Sequence, residues 1–588
     1  MCIGCHTTGY EKRFDAKADG FDTRWKEPNV SCQSCHGPGS AHVDWARAPS
    51  GATAAGAAAS GPRYGLAMDF KARDHRAEVE VCAACHSRRS ELTATPQAGE
   101  PLLDHYLPAR LDAGLYYADG QQRDEVYAYG SFRQSKMYQH GVGCSDCHDA
   151  HTSKLKAEGN GVCLQCHQTP ANPRFPAAAG RYDSPAHHFH QADSPGAQCV
   201  SCHMPSSNYM QVHARPDHSL RIPRPDLNAS TGAPDACTSC HQGKSPAWAA
   251  ATIDKWYGPT RRSGAHYGPV IAAARSGAPG ADAALAALAA DSTRPAIVRA
   301  TALAELRAWP QAHDGVRLAA TRDADAEVRV AAADSFESSS AAPRLQALAP
   351  LLNDPVRAVR ITAARSLSTL DAASFDATQR RAFDSALNEY IAAQSVALDM
   401  PGARLNLAVV YQNTARPDEA EANYLAALRI DPDFTPARAN LAQFYSARAR
   451  PTDAERVLVD GLKRVPAQGD LQYSLGLLLA EQGRMPEAAA ALGRAASLLP
   501  QRARVRYNFG LALQQTGKLR EAERSFIEAQ RLDPRDPAIP YALAVMYAQT
   551  KRWREALAAA EQLQGLSPND PQVGQFVERL RASAQRGG

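Results

Sequence analysis

The sequence has no cysteine outside a paired pattern and no long apolar run. All 14 cysteines fall into C-x-x-C pairs, and every pair is followed by histidine. Neither a zinc knuckle nor a disulfide framework requires a histidine after every second cysteine, so these two alternatives explain the pattern poorly. No stretch of about 18 apolar residues is available to span a membrane.

A strong net charge and a leader segment are also missing. The formal charge is +4 over 588 residues, which argues against nucleic acid and against a polybasic membrane contact as the main partner. Cys2 follows Met1 directly, where an exported chain would first have a basic and then an apolar segment. We therefore expect a fragment, a mature form or a misassigned start, with a signal peptide upstream.

What the sequence does contain is seven copies of C-x-x-C-H. In this motif each thiol adds to a haem vinyl group, and the histidine ligates the iron from one face. The motifs predict seven covalently bound haem c groups, attached through Cys2, Cys5, Cys32, Cys35, Cys82, Cys85, Cys144, Cys147, Cys163, Cys166, Cys199, Cys202, Cys237 and Cys240. The proximal ligands would be His6, His36, His86, His148, His167, His203 and His241.

The motifs also predict where the protein works and how its haems pack. Haem is attached to exported chains, so we expect a periplasmic or extracellular protein. Seven haems within about 245 residues leave too little chain for a separate pocket around each one, so the haems must pack against one another. The closest pair of motifs lies between Cys144 and His167.

Histidine is concentrated where the haems are. Only His266 and His313 lie beyond residue 245, whereas the haem region has ten histidines outside the motifs: His42, His75, His105, His140, His151, His187, His188, His190, His213 and His218. Methionine is sparse there, which favours low-potential irons with histidine on both faces. The preferred second ligands are His42, His140, His151, His188, His190 and His218. His151, three residues after His148, would point away from its own haem and reach a neighbour's.

Composition divides the rest of the chain into helical repeats. The predicted fold is mainly α, with a loop-rich multihaem domain at 1–258, HEAT-like repeats at 259–372 and tetratricopeptide repeats at 373–588. Val298-Arg299, Val328-Arg329 and Val359-Arg360 recur at 30- and 31-residue spacing, although an ordinary helical linker is an alternative. Within the haem domain, the stretch Ser50–Gly61 is expected to be a flexible surface loop.

The last third has a strict 34-residue period. It is carried by Pro432, Pro466, Pro500, Pro534 and Pro568, and by Ala420, Ala454, Ala488, Ala522 and Ala556. This period resembles that of the tetratricopeptide repeat, in which small residues let paired helices approach. Tyr473, Tyr507 and Tyr541 share one register position and predict either an aromatic groove for a helix or extended peptide, or packing within each repeat. Arg404, Arg438 and Arg506 share another position, and they are expected to be solvated rather than to form a carboxylate clamp.

Longer segments carry a family resemblance. The segments that resemble bacterial multihaem c-type cytochromes with C-terminal tetratricopeptide repeats are VSCQSCHGPGSAH at residues 30–42, residues 115–148 with DGQQRDEVYAYGSFRQSKMY and CSDCH, CVSCHMP at 199–205 and DHSLRIPRPDL at 217–227. The resemblance continues through the seventh motif to residues 256–258. The haem half is also distantly similar to cytochromes that pass electrons in nitrogen metabolism. The resemblance implies an octahaem arrangement, with one haem motif and a signal peptide missing upstream.

Three functions are compatible with these patterns. The leading hypothesis is electron transfer along closely spaced haems, with the repeats docking redox partners or further copies of the protein. The second is a reductase of nitrite, hydroxylamine or a sulfur oxyanion with one open haem, although all seven motifs end in histidine. The third is a scaffold in which the repeats do the work. No catalytic residue is assigned.

Overall fold

The computed structural model describes residues 2–48, 63–70, 74–262, 265–310 and 312–586. The loop expected at Ser50–Gly61 lies outside the described residues. The chain divides into two compact units, Met1–Ala397 and Leu398–Gly588. The fold is mainly α, as predicted, whereas the predicted boundaries at 258 and 372 stay predictions.

The haem region consists of short helices and two-stranded hairpins. Its α-helices are Cys2–His6, Cys32–His36, Ser40–Arg47, His75–His86, Leu102–His105, Tyr129–Arg133, Lys136–Gln139, Gly161–Leu164, Pro185–His188, Cys199–His203, Asn228–Thr231, Ala236–Cys240 and Pro246–Tyr257. Its antiparallel strand pairs are Phe14–Asp15 with Gly20–Phe21, Arg89–Glu91 with Tyr106–Pro108, His148–Asp149 with Lys154–Leu155, and Ser206–Tyr209 with His213–Pro216.

A first helical array follows within the same unit. Its helices are Gly268–Arg275, Ala281–Ala290, Ala296–Glu305, Asp314–Ala320, Ala326–Ser335, Ala341–Leu348, Arg357–Leu367 and Ala377–Ser395. In each recurring Val-Arg pair the valine is fully buried, while the arginine binds a carboxylate further along the chain. These ion pairs are Arg299–Asp323, Arg329–Asp354 and Arg360–Glu389. The valines thus supply the core and the arginines tie successive helices together.

The segment between residues 106 and 134 joins the haem region to this array. Leu111, Tyr116 and Val126 belong to the same buried cluster as residues of the array helices. Arg133, which is 9% exposed, donates to Glu327 at 2.7 Å and to Asp325 at 3.0 Å. Because both apolar packing and a buried ion pair cross this boundary, the two regions form one folded body.

The second unit is built from paired helices at the 34-residue period. They are Pro401–Asn413, Pro417–Ile430, Thr435–Ala447, Pro451–Arg464, Gly469–Glu481, Met485–Leu498, Ala503–Gln515, Leu519–Leu532, Ala538–Gln549, Trp553–Leu566 and Pro571–Arg586. The five periodic alanines are all fully buried in the second helix of a pair. Their small side chains permit the close helix approach that the period predicts.

The arginine and tyrosine registers of this unit differ in their exposure. The arginine register is not simply solvated, because Arg438 is 8% exposed and donates to the carbonyls of Pro432 and Val457. Gly461 makes room for it, since a Cβ there would lie 2.6 Å from Arg438 Cδ. In the tyrosine register, Tyr541 is 52% exposed, whereas Tyr507 packs against Phe526 of its own repeat at 5.9 Å and the Tyr473 hydroxyl accepts from Asn508 at 2.6 Å. In the described part of the chain, no helix has the length and apolarity needed to cross a membrane.

Candidate haem site

The haem motifs sit on single helical turns. The helices Cys2–His6, Cys32–His36 and Cys199–His203 each coincide with one whole motif, and another motif ends the helix His75–His86. One turn brings residues three apart onto the same side, so both thiols of C-x-x-C face one way and histidine follows. The turn of the seventh motif is fixed by Asp235, whose carboxylate accepts from the Cys237 and Thr238 amides.

Thiols of different motifs are close neighbours. The neighbouring Cys82 thiol, followed by burial, raises the pKa of Cys144, and the neighbouring Cys199 thiol, followed by burial, raises the pKa of Cys163. The Cys5 thiol donates to the Cys85 carbonyl at 3.9 Å. These contacts put the first motif beside the third, the third beside the fourth, and the fifth beside the sixth.

Electrostatic effects identify the remaining neighbours. Burial, followed by nearby Asp146 and the Cys166 thiol, raises the pKa of Cys147. Burial, Asp235 and then the Cys202 thiol raise the pKa of Cys237 to about 11. The fourth motif therefore lies beside the fifth, and the sixth beside the seventh. Burial and then the Cys82 thiol raise the pKa of Cys35, which puts the second motif beside the third.

Four motif histidines face a second imidazole. The ring centroids of His36 and His151 are 6.2 Å apart with planes at 3°, and those of His203 and His187 have the same separation and angle. The other two pairs are His148 with His218, at 6.3 Å and 24°, and His241 with His190, at 6.0 Å and 37°.

This spacing fits an iron between the rings. A histidine nitrogen binds a metal at about 2.0 Å, so imidazoles on opposite faces of one iron have centroids about 6 Å apart. The four pairs therefore match the geometry required of two axial ligands, and the residues present fit haem iron.

Backbone carbonyls set the orientation of several of these rings. The Nδ1 of His203 donates to the Arg221 carbonyl at 2.7 Å, and the Nδ1 of His218 donates to the Pro216 carbonyl at 3.0 Å. The same bond is made by His167, to Ala178 at 3.2 Å. Because a carbonyl can only accept, Nδ1 carries the proton and Nε2 keeps the lone pair that binds a metal.

Burial keeps the imidazoles in the neutral form. It lowers the pKa of His36, His86, His148 and His218 from the ordinary value of 6.5. Neutral imidazole is the form that ligates a metal. These rings are therefore prepared as ligands at neutral pH.

Among the described residues, three of the preferred second ligands have no ring contact with a motif histidine. His42 stacks on Trp45 at 5.4 Å, and its Nδ1 donates to the Tyr64 carbonyl. His188 accepts the His190 amide through Nδ1 at 3.2 Å, which leaves the proton of the neutral ring on Nε2. His140 is exposed at the end of its helix. Their ligation stays a prediction.

Two further histidines have the surroundings of iron ligands. His187, in the cluster with His188 and His190, faces His203. The sequence signal for His187 is its spacing from His190, which equals the spacing from His148 to His151.

His75 has a buried Nε2 without a hydrogen-bond partner, while its Nδ1 lies 2.7 Å from the Asp74 carboxylate. Carboxylate-bound imidazoles are typical metal ligands.

Family models match both halves of the chain. "Cytochrome c554 and c-prime" matches residues 1–37, and "Doubled CXXCH motif" matches residues 138–172. Two tetratricopeptide repeat models match residues 415–478 and 507–571. Together these models match a multihaem c-type cytochrome with tetratricopeptide repeats. They agree with the resemblance noted in the sequence and support covalently bound haem c as the cofactor. No curated protein matches this chain.

Solved structures resemble the cytochrome over about a third of its length. One is YrrB, a TPR protein with an unusual peptide-binding site, at 24% identity, covering 32% of this chain and 96% of that one, with TM-score 0.27. MamA from Desulfovibrio magneticus RS-1 is 19% identical, covering 29% and 97%, with TM-score 0.26. PilW, a type IV pilus biogenesis factor, is 20% identical, covering 36% and 98%, with TM-score 0.30.

Proposed function

We propose that this cytochrome carries electrons along a chain of seven closely spaced haem c groups, most of them with histidine on both faces of the iron. The observation that carries the proposal is the set of four facing imidazole pairs. Bound haem iron alternates between ferric and ferrous states and so moves one electron at each site. Two neutral imidazoles per iron favour a low potential.

Shared segments support a continuous path. His148 faces His218, while His151, three residues later, faces His36. His187 and His190 likewise face the histidines of two successive motifs. Each of these segments would serve two irons, so neighbouring sites are held at a fixed distance. The proximity of the thiols and their mutual electrostatic effects would order the motifs as one, three, four, five, six and seven, with the second motif beside the third.

The helical repeats would connect this chain to other proteins. The half-buried Tyr473 and Tyr507 and the exposed Tyr541 share one register position of the second unit. We propose that this surface binds a helix or extended peptide of a redox partner or of another copy. Replacing the three tyrosines with alanine should abolish association with such a partner while leaving the haem spectrum unchanged; unchanged association would contradict this assignment. The proposed location is the periplasm or the cell exterior.

Carbon monoxide binding tests the ligand pairs. The protein should be expressed with its native upstream segment in a host that matures c-type cytochromes, where an eighth haem is expected, and then reduced with dithionite. His151→Ala, His187→Ala, His190→Ala and His218→Ala should each add about one CO-binding haem relative to the parent. His213→Ala is the matched control, because this exposed histidine has no ring contact among the described residues. No gain in any of the four variants would contradict the proposal.

A reductase is the second candidate. Among the described residues, no second imidazole ring contacts His6, His86 or His167. An iron bound by one of these histidines alone would be open to a small oxyanion. Steady turnover of nitrite or hydroxylamine with reduced viologen, together with CO binding to the parent protein, would favour this function over electron transfer alone.

A further inference from the structure

The loop that carries His218 is held by buried polar groups. Asp217 is 2% exposed, and its Oδ1 accepts the Ser219 amide at 2.8 Å. Leu220 has φ 48°, in the left-handed region that L side chains rarely adopt. Such a conformation persists only where surrounding contacts over-determine it. The loop therefore depends on its neighbours for its shape.

Arg221 contacts both His203 and the loop that carries His218. Its amide donates to the His203 carbonyl at 3.1 Å, and its own carbonyl accepts from His203 Nδ1 at 2.7 Å. Its guanidinium contacts the His218 loop itself. Nε donates to Ser219 Oγ at 2.8 Å, and Nη2 lies 3.7 Å from Asp217 Oδ2.

The guanidinium is fixed from outside the loop by Asp119. Nη1 donates to the Asp119 carbonyl at 3.2 Å and to its Oδ2 at 3.3 Å. Asp119 is itself held by Gln121, whose amide and side-chain nitrogens donate to the two carboxylate oxygens. Side-chain exposure is 15% for Arg221 and 3% for Asp119. Removing one member of so buried a set leaves the others unpaired.

We propose that Arg221 is a positioning residue for two haem ligands at once. Its carbonyl orients the imidazole of His203 at the sixth motif. Its guanidinium fixes the loop that presents His218 to His148 at the fourth motif. The assignment rests on the proposed function, since it takes both histidines as iron ligands. It couples two haem sites that are not consecutive along the thiol contacts.

The test compares Arg221→Gln with Arg224→Gln in the haem-loaded, full-length protein. Arg224 lies three residues away and pairs with Asp226 at 2.8 Å, so its loss removes the same charge without touching the His203 or His218 loop contacts. Arg221→Gln should add CO binding of up to about one haem equivalent over the parent. It should also shift the potentials of two haems in a spectroelectrochemical titration. Arg224→Gln should do neither, and Arg221→Lys should restore part of the parent behaviour.

The outcomes separate the positioning role from the proposed function. If His218→Ala adds a CO-binding haem but Arg221→Gln changes neither CO binding nor potentials, the positioning role is wrong. If His218→Ala adds none, the ligand pairs themselves are wrong. If Arg221→Gln loses haem or fails to fold, Asp217→Asn is decisive. It keeps an acceptor for Ser219 but loses the charge facing Arg221, and an unshifted potential in that variant overturns the proposal. Equal shifts in Arg221→Gln and Arg224→Gln would indicate charge alone and would also overturn it.

Discussion

The haem region and the second helical unit bury very different material. In the second unit, alanine, leucine and aromatic side chains form continuous clusters such as that around Phe526 and Leu543. In the haem region, the stretch from residue 139 to 245 buries only four hydrophobic side chains among those described: Ala197, Tyr209, Leu227 and Ala233. The core of the second unit consists of its own side chains, whereas the core of the haem region requires the bound haems.

Removing haem should produce the largest difference between the two regions. In a host that cannot attach haem, residues 139–245 lack most of their core, because few apolar side chains there are buried against one another. Limited proteolysis with mass spectrometry should show rapid cleavage there and protection of residues 398–588. Haem-loaded protein is the control. Equal protection of both regions in the haem-free chain would show that haem does not organise the first.

A core truncation in the second unit should give the next largest effect, confined to that unit. Phe526 is fully buried, so Phe526→Ala should reduce the free energy of unfolding of the repeats by about 3–5 kcal/mol. Denaturant unfolding followed by circular dichroism measures the loss, and the haem absorption spectrum should stay unchanged. Ile527→Ala is a suitable control, since Ile527 is 50% exposed on the same helix. A changed haem spectrum would contradict the independence of the two regions.

Acid should distinguish the regions more mildly. Burial lowers the pKa of His266 to about 4, against about 6.5 in an unfolded chain. The unfolded state therefore binds more protons between these values, and His266 makes the first unit less stable as pH falls from about 6.5 toward 4. The second unit contains no histidine.

The pH effect can be isolated by one substitution. His266→Asn keeps an acceptor for the Gly268 amide, which now donates to Nδ1 at 3.0 Å. The drop in melting temperature of the haem-loaded protein between pH 7 and pH 5 should be smaller in this variant than in the parent. An identical drop would show that His266 does not contribute.

Surface ion pairs should matter least in either region. Lys463 pairs with Asp460 at 3.0 Å, and their side chains are 72% and 51% exposed. Lys463→Ala should therefore change the free energy of unfolding by less than about 0.5 kcal/mol. A loss well above 1 kcal/mol in denaturant unfolding would mean that the repeats depend on their surface charges as much as on their cores.

The same contrast explains how much the sequence predicts. The 34-residue period fixes the buried positions of Ala420 and its equivalents, because a repeat buries its residues against its own neighbours in sequence. The C-x-x-C-H motif is also local, so the haem-bearing residues are found by spacing alone. Arg438 escaped prediction because its partners are carbonyls, which a sequence pattern does not display.

Ligand pairs are the part that sequence predicts least. His151 faces His36 from more than a hundred residues away, and His218 faces His148 across 70. Composition indicated that spare histidines serve as second ligands, but it does not tell which of the adjacent His187 and His188 faces a motif histidine. Such pairings are set by the three-dimensional fold of a region with little periodicity.

The most direct test of the account is to locate the irons. Anomalous diffraction at the iron edge from crystals of the haem-loaded protein should show a peak midway between the rings of each pair: His36 and His151, His148 and His218, His187 and His203, and His190 and His241. That result would establish histidine on both faces of four irons. Iron peaks beside the motif histidines with the second rings turned away would contradict it.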